Sequence, residues 1–445
     1  MTLLLDLTSS LKTKLRRGKL FHNLLEEIEQ SQQLAHAELI DRQNQKLRHT
    51  IDRAYHTVPY YKQVFDKLGL TPEAINTVED LQLLPVINKS NVRGKEKQFV
   101  SKAVGLKTKT TTSGTTGTPV TLYRDRHSIN LEHASIWRQR RWGGVDLDDT
   151  IASLRGDIVA PADATQPPFW KYVPAENRWL MSSYHLCDRF IPYYLEHLRN
   201  ANISAIEGYP SAIYRLACYM RDRQLEPIPV KAVFTSSEEL PDYRRQLIKQ
   251  YFGKVFDHYG QSERVAHIAM CERGNYHYAM DYSIIEFLPT EYSDLYKIVG
   301  TTLHNAAMPL IRYDTNDLAR ISHKSCDCGR AFPVVDSIAG RMEDYIATPA
   351  GKFVGGMGIA FGGVANIVEG QIIQEQLDLV RVLIVPTADF GDRDRQVLLK
   401  NMRSRLGEDL KIVVRPVDSI PRTKAGKFKL TVSQLKDKNT QVKIS

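Results

Sequence analysis

The sequence has few features that would place it in a membrane, outside the cell or on nucleic acid. No apolar run is long enough to span a bilayer, and the apolar residues 1–5 are too short for a signal core. The sequence has only five cysteines and no secretion signal, so we expect a cytoplasmic protein. Neither an arginine stripe nor a known nucleic-acid motif is present, so the net charge of +9 does not predict nucleic-acid binding.

The length and patterning predict an α/β protein of at least two domains. A chain of 445 residues with 42% hydrophobic and 25% charged residues can bury a large core. Residues 1–100 have helical periodicity, and residues 101–340 alternate short apolar runs with helical stretches. Strand-like residues 380–385 and 412–414 then surround a helix near residues 392–406. We therefore predict a large domain over residues 1–340 and a small α/β domain over residues 341–445.

The two common nucleotide-binding loops are both missing. No loop ends in Gly-Lys-Ser/Thr, and the G-x-G-x-x-G spacing does not occur in its place. Residues 111–119 instead read Thr-Thr-Ser-Gly-Thr-Thr-Gly-Thr-Pro, where glycines allow close approach and hydroxyl and N–H groups can wrap a polyphosphate. A polar turn between two strands is the competing interpretation. The predicted phosphate-binding residues are Thr112, Ser113, Gly114, Thr115, Thr116 and Gly117.

This loop resembles the phosphate loop of the adenylate-forming enzymes, the acyl-CoA synthetase and ligase superfamily. Val120 stands where many members have lysine. The phenylacetate–CoA ligase branch also lacks this lysine. The segment Val-Pro-Tyr-Tyr at residues 58–61 is similar to the start of that branch. The segment Glu-Gly-Tyr-Pro-Ser at residues 207–211 matches its substrate-side segment, although by itself it fits a plain strand-to-helix turn with Ser211 as the N-cap of a helix that continues through Met220. The resemblance implies a large multi-subdomain adenylate-forming domain with a small mobile C-terminal lid, and it places Tyr209 and Pro210 near the acyl pocket.

Two segments resemble the superfamily's adenine-binding motifs. The turn containing Ser237 and Glu238 would hold the adenine edge through its backbone, although Ser and Glu before a helix are also ordinary capping residues. The resemblance makes Tyr259, beside Gly260, the ring that stacks on adenine. It also makes Glu263 the Mg²⁺ carboxylate, a role that suits an ion bound by oxygen and phosphate ligands. From the residues alone, Tyr259 could be a core ring and Glu263 a helix N-terminal charge.

Two further segments complete the implied nucleotide site. By resemblance, Asp317 accepts the ribose hydroxyls, and Asn316 replaces the family's usual glycine. Asparagine tolerates the left-handed conformation, so we expect the turn to persist. The segment Gly-Arg-Met-Glu-Asp at residues 340–344 resembles the hinge between the domains, with Arg341 at the ribose and Glu343 at the pivot. The glycines of residues 351–363 do not match the family's second glycine motif, which lines the pantetheine tunnel in CoA-using members. This region therefore does not support the thioester step.

The C-terminal segment matches the superfamily's closing motif. Residues 421–427 read Pro-Arg-Thr-Lys-Ala-Gly-Lys and fit Pro-Arg-Thr-x-x-Gly-Lys at every fixed position. By resemblance Lys427 is the catalytic lysine, whose ammonium would stabilise the charge that develops between the carboxylate and the α-phosphate. A basic segment without this motif is more often only solvated.

Three cysteines and a histidine have the composition of a structural zinc site. The pattern is Cys-x5-His followed, after a long gap, by Cys-x-Cys-Gly-Arg. Three thiolates and one imidazole make a closed tetrahedral Zn²⁺ set, and a cytosolic protein would not pair these cysteines as disulfides. Some relatives of phenylacetate–CoA ligase resemble this arrangement. Three unligated buried thiols are the alternative, and His267 and His323 are alternative ligands. The predicted ligands are Cys271, His277, Cys326 and Cys328.

The resemblance implies an AMP-forming ligase. Such an enzyme would use ATP and Mg²⁺ to convert a carboxylic acid to an acyl-adenylate and would then transfer the acyl group, with CoA as the default acceptor. The short C-terminal domain is shared with capsule-polysaccharide and coenzyme-adenylating relatives, so an amine acceptor or adenylyl transfer is an alternative. A non-catalytic nucleotide-binding relative is a further one, although the acidic and lysine positions are intact. A homodimer is possible.

Overall fold

A computed structural model describes residues 17–112, 119–161, 163–290, 294–322, 324–341, 345–349, 353–355, 357–364, 366–423 and 426–435. The α-helices are α1 Lys19–Ser31, α2 His36–Thr57, α3 Pro59–Leu68, α4 Lys89–Val92, α5 Arg126–Trp142, α6 Ile191–Asn200, α7 Pro210–Asp222, α8 Asp242–Phe252 and α9 Asp392–Leu406. Within the described ranges, none of the helices combines the length and apolar character needed to cross a membrane.

Strands and α-helices alternate between residues 121 and 260, whereas the described part of residues 261–386 is mostly strands. The strands are β1 Thr108–Thr111, β2 Thr121–Arg124, β3 Ile151–Arg155, β4 Trp170–Val173, β5 Arg178–Ser182, β6 Ala205–Gly208, β7 Ala232–Ser236, β8 Val255–Gly260, β9 His267–Met270, β10 Tyr276–Tyr278, β11 Ser283–Pro289, β12 Tyr296–Thr302, β13 Tyr313–Ile321, β14 Val334–Arg341, β15 Ile346–Ala347, β16 Phe353–Val354, β17 Ile367–Gln376, β18 Leu379–Pro386, β19 Lys411–Pro416 and β20 Thr431–Ser433. The predicted α/β class is confirmed.

The chain divides into two compact units. Unit 1 contains Met1–Asp149, Tyr172–Arg178 and Phe256–Ile338, and unit 2 contains Thr150–Lys171, Trp179–Val255 and Ala339–Ser445. One of these boundaries, between residues 338 and 339, lies close to the predicted domain boundary at residue 341. Unit 2 also takes up segments that the sequence prediction gave to the large domain, so the predicted lid remains a prediction.

Unit 1 combines the N-terminal helices with an antiparallel sheet. Helix α2 buries Leu47, Ile51 and Ala54, which recur at intervals of three or four residues and therefore share one face. That face belongs to a core that includes Val120 beside strand β2 and Tyr313 on strand β13. The strand order in the sheet is β11-β12-β13-β14-β10-β9-β8. This sheet carries Tyr259 and Gly260 on β8 and Asp317 on β13, three of the residues predicted to contact the nucleotide.

Unit 2 contains a parallel set of strands and a C-terminal sheet. Strands β3, β6 and β7 are parallel neighbours, so their carboxyl ends lie at one edge. Helix α7 follows β6, but its N-cap is Tyr209 and Pro210 is the first helical residue. The predicted N-cap at Ser211 is therefore wrong, because proline is well suited to the first helical position and moves the start earlier. The C-terminal sheet has the order β19-β18-β17-β20, and α9 packs its buried Leu398 and Met402 into that core.

Candidate functional site

Two predicted nucleotide contacts meet in unit 1. Tyr259, near the end of β8, donates its hydroxyl proton to Asp317 Oδ2 on β13 at 2.6 Å. Burial, with the Asp317 carboxylate as the next cause, raises the pKa of Tyr259 well above its ordinary value. The phenol therefore stays protonated and remains a donor. The structure brings together the predicted adenine ring and the predicted ribose carboxylate.

The predicted magnesium carboxylate has a tyrosine partner that the sequence analysis missed. Tyr313, the first residue of β13, donates its hydroxyl proton to Glu263 Oε1 at 3.1 Å. Its position at the start of the Tyr-Asp-Thr-Asn-Asp segment was the available signal. We refer to Tyr259, Glu263, Tyr313 and Asp317 as the nucleotide-side cluster. Its members form two hydrogen-bonded pairs, Tyr259 with Asp317 and Tyr313 with Glu263, which join β13 to the end of β8 and to the segment after it.

The backbone around the nucleotide-side cluster uses left-handed positions. Asn316 has φ 62°, so the asparagine adopts the conformation expected where the family has glycine. The next residue, Asp317, is oriented by its N–H, which donates to Thr315 Oγ1 at 3.1 Å. Arg264, directly after Glu263, also has a positive φ of 56°. These turns direct the carboxylates of the two acidic residues.

Arg124 adds positive charge beside this region. One Nη of Arg124 donates to the carbonyl oxygen of Ser262, next to Glu263. Burial and, as the next cause, the nearby charge of Arg264 lower the pKa of Arg124 to about 10. The guanidinium nevertheless remains protonated at neutral pH. Sequence analysis did not single it out because an isolated arginine after a strand carries no motif.

Only the neck of the predicted phosphate loop belongs to the described residues. The N–H of Thr112 donates to the Val120 carbonyl at 3.0 Å, and Thr112 Oγ1 accepts from the Val120 N–H at 3.0 Å. Strands β1 and β2 continue this pairing in antiparallel register. Ser113, Gly114, Thr115, Thr116 and Gly117 lie outside the described residues. Thr112 itself is buried and closes the loop's base.

The closing motif forms a compact turn in unit 2. Thr423 Oγ1 accepts from the Lys427 N–H at 3.1 Å, and the Thr423 N–H donates to the Lys427 carbonyl at 2.9 Å. Arg422 forms an ion pair with Glu369 on β17, and its guanidinium lies 4.7 Å from the ring centroid of Phe428. We call the described residues of this motif, 422–423 and 426–428, the lysine turn. The sequence motif predicted its lysine but not the roles of its arginine and threonine.

Gly426 places the lysine turn close to the carboxyl end of β3. It has φ 73°, and a Cβ atom there would lie 2.8 Å from Tyr184 Oη and 3.1 Å from Gly156 Cα. Gly156 follows the last residue of β3. Ligands of parallel α/β sheets bind at the carboxyl ends of the strands. The predicted catalytic Lys427 therefore adjoins an edge where a substrate can bind.

The predicted adenine-edge turn lies at the same edge of unit 2. Ser237 follows β7 with φ 73°, a left-handed position that turns the chain abruptly. Glu238 accepts hydrogen bonds from the N–H groups of Ser211 and Phe428. Tyr209 follows β6 and is almost fully buried. Arg341 ends strand β14, and its side chain and Glu343 lie outside what the structure describes.

The four predicted zinc ligands converge in unit 1. The ligand atoms of Cys271, His277, Cys326 and Cys328 all lie within 4.8 Å of one another. The Cys271–Cys326 sulfurs are 3.7 Å apart, and Cys328 Sγ is 3.4 Å from His277 Nε2. Zn–S bonds of about 2.3 Å in a tetrahedron separate two sulfurs by about 3.8 Å. The donor set and its spacing fit Zn²⁺.

Neighbouring groups orient the cluster for metal binding. His277 Nδ1 lies 2.7 Å from the Phe332 carbonyl oxygen, to which it can donate, and this leaves Nε2 for a metal. Asn275 Nδ2 donates to Cys326 Sγ at 3.1 Å. His267 instead packs against Tyr282 and is absent from the cluster found among the described residues, and His323 lies outside them.

The comparisons with known proteins agree with this architecture. Residues 346–434 match the family model described as the CapK C-terminal domain. Protein CapK of Staphylococcus aureus is 23% identical over 90% of each chain. Phenylacetate-coenzyme A ligase of Thermus thermophilus is 23% identical over 68% of this chain and 70% of the ligase. The structure of 2-hydroxyisobutyryl-CoA ligase with R3-HIB-AMP, in the postadenylation state, has a TM-score of 0.69 at 17% identity and covers 91% of each chain.

The fold is that of the adenylate-forming CoA ligases. Together with the sequence relatives, it confirms the predicted resemblance to the adenylate-forming superfamily, to its phenylacetate–CoA ligase branch and to CapK relatives. The predicted class of enzyme, an AMP-forming ligase, is confirmed at this level.

Proposed function

We propose that the chain activates a carboxylic acid with ATP and Mg²⁺ to an acyl-adenylate and then transfers the acyl group to CoA. One observation carries the proposal: the lysine turn, with Lys427, lies at the carboxyl edge of the parallel strands, where Gly426 approaches Gly156 and Tyr184. The relatives named phenylacetate-coenzyme A ligase and the 2-hydroxyisobutyryl-CoA ligase fold support the same chemistry.

In the first half-reaction, a carboxylate oxygen of the acid attacks the α-phosphorus of ATP. The bond from that phosphorus to the bridging oxygen breaks, and pyrophosphate leaves with the electron pair. Lys427 would stabilise the negative charge shared by the attacking carboxylate and the α-phosphate. Glu263 would hold the Mg²⁺ ion that neutralises the phosphates, and its hydrogen bond from Tyr313 orients that carboxylate.

The nucleotide-side cluster would bind the adenosine part of ATP. Tyr259 would present its ring face to adenine, while its hydroxyl fixes one oxygen of Asp317. Asp317 would accept the ribose hydroxyls with its remaining lone pairs. The phosphate loop of residues 112–117, with Thr112 at its neck, would hold the triphosphate, and Arg341 would contact the ribose.

In the second half-reaction, the CoA thiol loses its proton and its sulfur attacks the acyl carbon, so AMP leaves. The match of residues 346–434 to a C-terminal domain model supports a separate functional role for residues 341–445. We propose that this segment is the lid, with its hinge near Glu343.

We also propose that Cys271, His277, Cys326 and Cys328 bind one structural Zn²⁺. The four ligand atoms lie within 4.8 Å of one another, and four protein ligands would leave a tetrahedral ion no position for a reacting water. The ion would join the chain after Glu263 to the chain after Asp317, so it would brace the nucleotide-side cluster. Binding would then contribute folding free energy, because the ligands are far apart in the unfolded chain.

A second acceptor class is an amine or hydroxyl, to which the acyl or adenylyl group would pass. The match to CapK extends over 90% of each chain. For this reason we keep the amine or hydroxyl acceptor as an alternative to CoA. The acceptor does not alter the first half-reaction.

ATP–pyrophosphate exchange with a panel of aryl, alkyl and hydroxy acids tests the proposal. We expect acid-dependent exchange with at least one class, followed by acyl-CoA and AMP when CoA is added. Mass spectrometry of products distinguishes acyl-CoA from an amide or an adenylylated acceptor. Exchange with no acid across the panel, in protein that binds ATP, would contradict the proposal and favour a non-catalytic relative.

A further inference from the structure

Glu238 joins two functional segments of unit 2 through both of its carboxylate oxygens. Its Oε1 accepts from the Phe428 N–H at 2.5 Å, and its Oε2 accepts from the Ser211 N–H at 3.0 Å. Phe428 directly follows Lys427, and Ser211 lies in the first turn of α7. One side chain therefore connects the lysine turn to the substrate-side segment.

We propose that Glu238 is the positioning residue that fixes Lys427 for adenylation, by holding the lysine turn against the start of α7. The proposal rests on the proposed function and deepens it. The backbone of the Ser237 turn remains available for the adenine edge that the family resemblance implies. The Glu238 side chain, in contrast, already uses both oxygens within the protein.

Burial is unfavourable for a carboxylate at this position. It is the largest cause that raises the pKa of Glu238, while the hydrogen bonds from Phe428 and Ser211 act in the opposite direction. A neutral side chain would avoid this penalty. A charged acceptor offsets this penalty because its hydrogen bonds to N–H groups are shorter and stronger than those of a neutral acceptor. Such bonds hold the turn more firmly.

The surroundings of Phe428 make the position of the turn sensitive to this contact. The Phe428 ring is buried between the guanidinium groups of Arg422 and Arg244, at 4.7 and 5.3 Å from its centroid. Contacts between a guanidinium and a ring tolerate a range of positions, whereas the hydrogen bond to Glu238 requires a defined direction. Losing the bond should therefore let the turn shift without unfolding unit 2.

The test compares Glu238→Gln and Glu238→Ala with Asp242→Asn. The control removes one negative charge four residues further along, where the side chain is 78% exposed. A glutamine oxygen can accept from only one of the two N–H groups, and alanine accepts from neither. We expect kcat of ATP–pyrophosphate exchange to fall about tenfold in Glu238→Gln and up to about 100-fold in Glu238→Ala. KM for ATP should change less than about twofold, because the nucleotide contacts are intact.

Hydrogen–deuterium exchange at the Phe428 amide provides a readout that needs no substrate. We expect this amide to exchange at least about tenfold faster in Glu238→Ala, with the control unchanged. Glu238→Gln should retain the wild-type melting temperature, since it also removes a buried charge. Fast Phe428 exchange with no ATP–pyrophosphate exchange in any protein would support the contact while the proposed function fails.

Three results would overturn the inference. A raised KM for ATP with unchanged kcat would assign Glu238 to the nucleotide. Unchanged kcat together with unchanged Phe428 exchange would show that the contact does not position the turn. Loss of folding in Glu238→Gln would make the residue a stability element.

Discussion

The nucleotide-side cluster and the lysine turn are held by different kinds of contact. In the nucleotide-side cluster, Tyr259–Asp317 and Tyr313–Glu263 are bonds between pairs of side chains, with Tyr259 on β8 and both Asp317 and Tyr313 on β13. In the lysine turn, Glu238 and Thr423 accept from the N–H groups of Phe428 and Lys427, beside the ion pair of Arg422 with Glu369. Losing one of the side-chain pairs would free two side chains, whereas losing an acceptor would release the backbone of the turn. We therefore expect substitutions in the nucleotide-side cluster to act on nucleotide binding and substitutions at the lysine turn to act on the placement of Lys427.

The largest expected effect is on the lysine turn. Lys427→Ala should lower the rate of ATP–pyrophosphate exchange at least about 100-fold, because the ammonium acts on developing charge. The melting temperature should barely change, since the turn is held through the backbone of residue 427. Lys427→Arg is the matched variant, and it should recover little because the guanidinium has a different shape. Near-normal exchange in Lys427→Ala would remove the residue from the mechanism.

Removing two of the proposed zinc ligands tests whether a bound ion stabilises the nucleotide-side cluster. Cys326→Ser/Cys328→Ser should lower the zinc content from about one ion per chain to a small fraction, since two of four ligands are lost. The melting temperature should fall by several degrees, and KM for ATP should rise more than kcat falls.

The control for this prediction is Cys187→Ser, which removes an exposed thiol outside the metal cluster. It should leave zinc content and stability unchanged. Less than about half an equivalent of zinc in the wild-type protein, unchanged in the double variant, would return these cysteines to ordinary packing.

A smaller effect is expected from the tyrosine hydroxyl in the nucleotide-side cluster. Tyr259→Phe keeps the ring but leaves Asp317 without its partner at 2.6 Å, so KM for ATP should rise about five- to tenfold. Tyr276→Phe is the matched control, because Tyr276 likewise donates to a carboxylate, Asp257 Oδ2 at 2.8 Å, which is not among the predicted nucleotide contacts. It should change only stability. Equal kinetic effects of the two variants would argue against a specific role for Tyr259.

The smallest effect concerns the turn before Asp317. Asn316→Gly should change activity less than about threefold, because both residues adopt φ near 62° without difficulty. Asn316→Val should lower the free energy of unfolding by about 1–2 kcal/mol, since a β-branched residue is strained there. Thermal unfolding of the two variants checks the difference. A Val variant as stable as the Gly variant would show that this backbone position is not restrictive.

The sequence predicted local elements well and long-range contacts poorly. Helix α9 and strands β18 and β19 were expected from the sequence pattern, and residue type singled out three cysteines and a histidine whose ligand atoms lie within 4.8 Å of one another. The Glu238–Phe428 contact joins residues 190 positions apart, and no local pattern encodes such a pair. The start of α7 was misplaced because a favourable serine competed with a proline one residue earlier. Local chemistry determines elements, but the path of the chain determines which side chains meet.

The close approach at Gly426 limits how the closing motif can be transplanted between enzymes. Tyr184 and Gly156 leave no volume for a side chain at residue 426, so the three positions must change together. A chimera that receives a new C-terminal segment would need a matching surface after β3. A designer who changes acyl specificity by replacing the loops after β3 or β5 should therefore preserve Gly156 and Tyr184. Changing either residue would displace Lys427.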